Sequence, residues 1–121
     1  MTAVDPPVDP SPTGPASGHL AGPDPVERRL AGRVAVVVGA GQTPGSTIGN
    51  GRAAAILLAR DGATVLAVDR DLGSAAETVA MIEAEGGTAA ALRADITSED
   101  DCRAIAEGVI ERFGRVDVLV N

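Results

Sequence analysis

Tyrosine, tryptophan and lysine are absent from the 121 residues, and phenylalanine occurs once, at Phe113. A chain with neither phenol nor side-chain amine has no Schiff-base lysine, no phosphate-binding Gly-Lys-Ser/Thr loop and no Tyr-Lys proton relay of its own. The lone cysteine, Cys102, excludes an internal disulfide and a cysteine-based zinc site. The lone histidine, His19, lies in a proline-rich stretch, which excludes a His-dependent triad or a His metal cluster. No apolar run approaches the roughly 18 residues that span a bilayer. The N-terminus lacks the basic and apolar regions of a secretory signal, so the expected location is cytoplasmic.

Positive charge is also in short supply. The net charge is −7, with ten arginines against seventeen acids. Asp5, Asp9, Asp24 and Glu27 stand before the first arginine, and the remaining chain is only mildly acidic. No cluster of cations suggests a nucleic-acid surface or an anionic-membrane patch, and neither partner is expected. With 45% hydrophobic residues and almost no aromatics, a core of Ala, Val, Leu and Ile is expected, in one domain.

Seven of the eight prolines fall between Pro6 and Pro25, among Asp, Ser, Thr and Gly. Such a segment has little to bury, and residues 1–29 read as a disordered leader ahead of a domain at 30–121. Pro12-Thr13-Gly14-Pro15 has the spacing of a polyproline ligand, but the basic residues that orient such ligands are missing. A start further in, near Val26, is the other reading of the leader. Deleting residues 1–26 should then leave the thermal midpoint nearly unchanged.

From Arg33 the pattern changes. Val34–Val38 is a continuous β-branched run that stops at glycine, the signature of a parallel strand buried on both faces. A glycine-rich loop follows, then a helix over Arg52–Arg60 with Ala53, Ala54, Leu57 and Leu58 on one face. Thr64–Val68 reads as a second strand closing on Asp69. A helix over Ser74–Glu85 stops at Gly86-Gly87. Thr88–Arg93 is a weaker third strand, followed by Asp95. Thr97 or Ser98 caps a third helix whose first turn holds Glu99, Asp100 and Asp101, acids suited to the positive end of the dipole. Its stripe of Cys102, Ile105, Ala106, Val109, Ile110 and Phe113 places Cys102 in the core as a small apolar residue. Gly114 ends that helix, and Val116–Val120 is a fourth strand.

The order β-α-β-α-β-α-β with short connections and right-handed crossovers predicts an α/β, doubly wound parallel sheet. With strand order 3-2-1-4, two helices cover one face and the third covers the other. Ligands bind such sheets at the carboxyl ends of the strands, where the order reverses. Gly39–Gly51 and Asn121 stand at that point.

The loop contains Gly39, Gly41, Gly45, Gly49 and Gly51, the last three in a GxxxGxG spacing. Glycines between a strand and a helix let the chain turn sharply and let a pyrophosphate approach backbone amides at the positive end of the helix. Gly51 would also permit close helix–strand packing. Asp69 ends the second strand twenty residues after Gly49, where an acid can accept hydrogen bonds from an adenosine ribose and repel a 2′-phosphate. That pattern favours NAD over NADP, with Arg70 as a cation that partly offsets the preference. Asp95-Ile96 ends the third strand, in position to flank an adenine.

With these residues in place, the sequence resembles the short-chain dehydrogenase/reductase family over residues 30–121. The matching stretches are Gly32–Val37, Arg52–Ala55, Leu58–Ala63, Asp69-Arg70, Ala94–Thr97 and Phe113–Asn121. The resemblance implies a Rossmann-type nucleotide-binding fold and an oxidoreductase moving hydride between nicotinamide and an alcohol/carbonyl pair. It implies NAD as cofactor, with NADP second, through Asp69, and adenine contact through Asp95 and Ile96. It further implies that an Asn-Asn-Ala-Gly motif starts at Asn121, and a small-molecule substrate acted on by a homo-oligomer. Gly51 stands twelve positions after Gly39, where the family's usual spacing is about six. In this respect Gly41, Thr47, Ile48, Gly49 and Gly51 look more like the long loop of the divergent enoyl-thioester reductases, whereas Val118–Asn121 looks like the ordinary branch. The family's catalytic Ser, Tyr and Lys would lie beyond Asn121.

The sequence therefore looks like the incomplete, cofactor-binding half of an oxidoreductase, with no catalytic residue of its own. An S-adenosylmethionine-dependent methyltransferase fragment and a non-catalytic dinucleotide sensor are the alternatives. By itself the chain is expected to show no turnover and to fold poorly. The fourth strand would leave an open edge, and the third helix would lie nearly alone on its face.

Overall fold

The computed structural model describes residues 28–43 and 48–121. Seven elements alternate along the chain: β1 (Val34–Val38), α1 (Asn50–Arg60), β2 (Thr64–Asp69), α2 (Leu72–Ala84), β3 (Thr88–Arg93), α3 (Glu99–Phe113) and β4 (Val118–Val120). The four strands form one parallel sheet in the order β3-β2-β1-β4. This is the doubly wound arrangement expected from the sequence. The leader before Arg28, including its polyproline spacing, lies outside the described residues.

The period of two along β1 and β2 divides the core between the faces. Ala35, Val37, Val65 and Ala67 point to one side, where Ala55, Ile56 and Ala59 of α1 and Ala75 and Ile82 of α2 cover them. Val34, Val36, Leu66 and Val68 point to the other side, against Val109 of α3, with Ile105 and Phe113 packed around it. Both central strands are thus buried on both faces, which explains their unbroken apolar runs. Small alanines on α1 suit the face where two helices share the sheet. The turn at Arg28–Gly32 leads into β1: Leu30 packs on the first cluster and its N–H donates to Asp61 O at 2.9 Å.

Three expectations need correction. The buried face of α1 is Arg52, Ala55, Ile56 and Ala59, whereas Leu57 is 58% exposed and Ala53, Ala54 and Leu58 are half-buried. Seven consecutive apolar residues, Ala53–Ala59, encircle the helix, so their periodicity does not choose a face. Cys102 is exposed, with its Sγ 3.3 Å from Ile96 O. Only Val109 of α3 is fully buried, because the helix meets the sheet along the Ile105–Val109–Phe113 line and leaves Ile110 55% exposed. β4 begins at Val118, two residues late. The Asp117 carboxylate turns back onto the start of β1, accepting the Val34 N–H at 2.8 Å, and leaves Val116 outside the ladder.

The ends of the helices follow their local chemistry. Asp71 caps α2 by accepting from Ser74 N at 3.1 Å, and Ser98 caps α3 by accepting from Asp101 N at 3.2 Å. Gly114 closes α3 in the left-handed region at φ +79°.

Asp117 ties three segments together. Arg115 binds both its oxygens at 2.7 and 2.8 Å, Arg33 lies 3.5 Å away, and the side chain is 14% exposed. The Arg115 guanidinium first, then the Val34 N–H, hold this carboxyl down at about 2. An unfolded aspartate titrates near 3.9. The stabilisation is therefore complete above about pH 4 and is lost as pH falls through about 2. Thermal midpoints of wild type and Asp117→Asn, taken across pH 7 to 2, should differ by a constant gap down to about pH 5 that narrows below pH 4. A gap independent of pH would contradict the assignment.

Candidate functional site

β1 leaves the sheet at Gly39, whose φ of +76° is open to glycine at little steric cost. The N–H groups of Gly39 and Ala40 both donate to Val68 O, at 2.8 and 3.0 Å, which bends the chain across the end of β2. The first turn of α1 then packs directly on this bend. A Cβ at Gly51 would overlap the Gly39 carbonyl, so the helix start and the strand end touch through backbone alone. Gly49 is the N-cap residue of α1. Among the described residues no side chain caps the helix there, and no acid stands in its first turn. The N–H donors of a helix start and the positive end of its dipole suit an anion.

Asp69 sits beside this turn, half-buried at the end of β2. Its Oδ2 accepts the Gly41 N–H at 2.9 Å and its Oδ1 accepts the Asp71 N–H at 3.0 Å. Two backbone donors fix the plane of the carboxylate and leave further lone pairs for hydroxyl donors. Asp95 accepts both the Thr97 hydroxyl, at 2.7 Å, and the Thr97 N–H, at 2.9 Å. These two bonds, the hydroxyl's first, hold its pKa below the ordinary carboxylate range, with smaller help from Arg70 and Arg93. A cleft of about 380 Å³ joins Gly39, Thr43, Asp69, Arg70, Asp95 and Ile96 at the carboxyl ends of β1, β2 and β3.

The cleft therefore gathers five of the residues singled out from the sequence: Gly39, Asp69, Arg70, Asp95 and Ile96. Gly41, Gly49 and Gly51 line the turn behind it, and exposed Ile48 precedes the helix. Gly45 and Thr47 lie outside the described residues. Asn121 does not join the cleft. It borders a separate, more apolar hollow of about 400 Å³ with Val36, Cys102 and Leu119, and that hollow meets the cleft at Val38 and Ile96. No group of three or more potential metal ligands occurs among the described residues.

Four polar residues that the sequence reading passed over hold the loop. Arg52 is buried at 5% exposure. Its Nε donates to Thr78 Oγ1 at 2.9 Å, and its NH2 donates to Ser74 O and Glu77 Oε1, both at 3.1 Å. Thr78 in turn donates to Ala40 O at 2.6 Å. Ser74 Oγ accepts the Gln42 N–H at 2.6 Å, and Gln42 Oε1 accepts the Gly49 N–H at 3.1 Å. A signal was present: Ser74 and Thr78 stand four apart on α2, next to the apolar stripe of Ala75, Val79 and Ile82, where a solvent-facing pair would not be.

Comparison with known proteins bears on the same elements. The family profile described as short chain dehydrogenase matches residues 33–121, from the start of β1 through β4. The chain belongs to the short-chain dehydrogenase family. Among its relatives, the 7alpha-hydroxysteroid dehydrogenase of Escherichia coli K12 is 41% identical over 93 residues, covering 77% of this chain and 34% of that protein. A solved 7alpha-hydroxysteroid dehydrogenase complexed with NADH and 7-oxo glycochenodeoxycholic acid superposes with a TM-score of 0.71 at 40% identity, covering 78% of this chain and 35% of that one. A metagenomic short-chain oxidoreductase in complex with NADP gives 0.67 at 38% identity, covering 74% and 38%. This short-chain dehydrogenase chain thus spans about a third of the length of these relatives, and their structures hold either nicotinamide dinucleotide. No helix among its described residues is long and apolar enough to cross a membrane.

Thr78→Val tests the buried network while keeping the side chain's shape. It strips a partner from both the Arg52 guanidinium and the Ala40 carbonyl, and a buried polar group left unpaired costs about 1–3 kcal/mol. Urea unfolding should show a loss of that size. A change within about 0.5 kcal/mol, the range of an indifferent surface substitution, would mean that the network does not hold the domain.

Proposed function

We propose that this chain supplies the dinucleotide-binding half of an NAD(P)-dependent oxidoreductase acting on an alcohol/carbonyl pair, and that it takes NAD in preference to NADP. The observation that carries the preference is the carboxylate of Asp69, held at the end of β2 by the N–H groups of Gly41 and Asp71. An anionic acceptor fixed in this way suits the paired hydroxyls of a ribose and opposes the dianionic 2′-phosphate of NADP. Arg70 stands next in sequence and is exposed, so its charge is shared with solvent.

In this reading the pyrophosphate lies against the backbone of Gly39, Gly49 and Gly51 at the start of α1. Gly45, Thr47 and Ile48 belong to the same loop. The adenine lies by Asp95 and Ile96, and Asn121 stands toward the nicotinamide side. When bound, the nicotinamide supplies the hydride acceptor or donor. This chain's residues bind and orient the cofactor, and Val38 and Ile96 give one wall of the cleft an apolar surface. Tyrosine and lysine, the family's proton donor and its tuning partner, are absent from these 121 residues. The reading therefore assigns cofactor binding, and no chemical step, to this chain.

Titration with NADH and NADPH, followed by nicotinamide fluorescence, tests the assignment. NADH should bind more tightly, and Asp69→Ala should narrow the difference by at least about tenfold, the worth of one charge-assisted hydrogen bond. Tighter binding of NADPH by the unmodified protein would overturn the preference.

A further inference from the structure

We infer that Ser74 on α2 is a positioning residue for Asp69, acting through the Gly41–Gln42 backbone, and that it sharpens the choice of a ribose with a free 2′-hydroxyl. The inference rests on the reading of the cleft as a dinucleotide site.

One hydroxyl holds Gln42 at both ends. Ser74 Oγ accepts the Gln42 N–H at 2.6 Å and donates its single proton to Gln42 O at 3.2 Å. The preceding residue, Gly41, is the one whose N–H reaches Asp69 Oδ2 at 2.9 Å. Gly41 is wedged between the two side chains. A Cβ there would lie 2.5 Å from Ser74 Oγ, 2.7 Å from Ser74 Cβ and 2.9 Å from Asp69 Oδ2. The loop backbone thus fills the space between α2 and the carboxylate, and Ser74 keeps it there.

Ser74 is itself anchored independently of that hydroxyl. Its N–H donates to the Asp71 carboxylate that caps the helix, and its carbonyl accepts from Arg52 NH2. Removing Oγ therefore leaves the helix cap and the Arg52 network intact and releases only the loop. The Gly41 N–H on Oδ2 then loses the support that holds it in place, while the Asp71 N–H on Oδ1 stays, so the carboxylate gains freedom to turn about that anchor.

The surroundings give this freedom a direction. Beyond Gln42 and Ser74 lies a hollow of about 390 Å³ that also carries Asp71 and Glu77. Arg52 borders it as well, but Glu77 lies 3.1 Å from its NH2, and Nε is committed to Thr78. A phosphate passing Asp69 on this side meets acids and a neutralised arginine. With the loop clasped, the ribose meets a fixed carboxylate and a closed wall. Without the clasp, the diol loses a preorganised acceptor, and a 2′-phosphate gains room and a carboxylate able to turn aside.

The test uses Ser74→Ala in the full chain, with three readouts: the dissociation constants of NADH and NADPH, amide hydrogen exchange at Gly41, and the thermal midpoint. NADH should weaken by about five- to tenfold, less than the loss of a whole charge-assisted hydrogen bond, because the Asp69 carboxylate itself remains. NADPH should stay within about twofold or tighten, and exchange at Gly41 should quicken by about tenfold or more. A merely structural role would weaken both cofactors by one factor, and that result overturns the inference, as do two unchanged constants. Unchanged exchange at Gly41 overturns the positioning role whatever the cofactors do. If the unmodified chain binds neither cofactor, the dinucleotide reading fails, and with it the claim on ribose choice. The exchange measurement then decides the positioning role alone.

Discussion

The missing side chain at Gly51 is the constraint on which this architecture depends. Any Cβ there would overlap the carbonyl of Gly39, so only glycine lets the first turn of α1 rest on the bend that ends β1. That contact brings the N-terminus of α1 to the carboxyl edge of the sheet. The bend itself is fixed by two N–H groups sharing Val68 O, and those bonds need β2 in parallel register beside β1, with Val38 opposite Val68. The position of the helix start is thus inherited from the sheet through backbone alone.

Polar groups carry the same geometry sideways. Thr78, Ser74 and Arg52 form a buried bridge between α1, α2 and the first limb of the loop, and each donor or acceptor named there has a partner. A buried guanidinium is tolerable only under that condition. The reward is specificity of position: Ala40, Gly41 and Gln42 are each bonded to a side chain of β2 or α2. The loop's excess length over the family's usual spacing therefore does not loosen this limb.

Much of this was legible in the sequence. The strands of β1 and β2 announce themselves by β-branched and apolar runs, and the sequence already put Asp69 and Asp95 at strand ends and Gly39, Gly41, Gly49 and Gly51 in the turn before α1, where the structure has them. The face of α1 was not legible, because Ala53–Ala59 offers apolar residues in every direction and the decision falls to Arg52, a charge that long-range partners bury. Cys102 misled for a related reason: its helical spacing fits a stripe, but the sheet beneath α3 reaches only the Ile105–Val109–Phe113 line. Asp117 looked like part of a strand, and tertiary bonds to Val34 and Arg115 made it a cap. Asn121 follows β4 as expected, yet it borders the hollow against α3 and not the cleft. Local pattern reports the elements; partners distant in sequence choose their faces.

The most direct test of the account is amide chemical-shift mapping of the chain titrated with NADH. The account predicts the largest shifts at Gly39, Gly41, Gly49, Gly51, Asp69, Asp95 and Ile96, with Arg28, Glu85 and Gly86 at the opposite edge of the sheet unmoved. Shifts centred on that opposite edge, or none at saturating NADH, would contradict it.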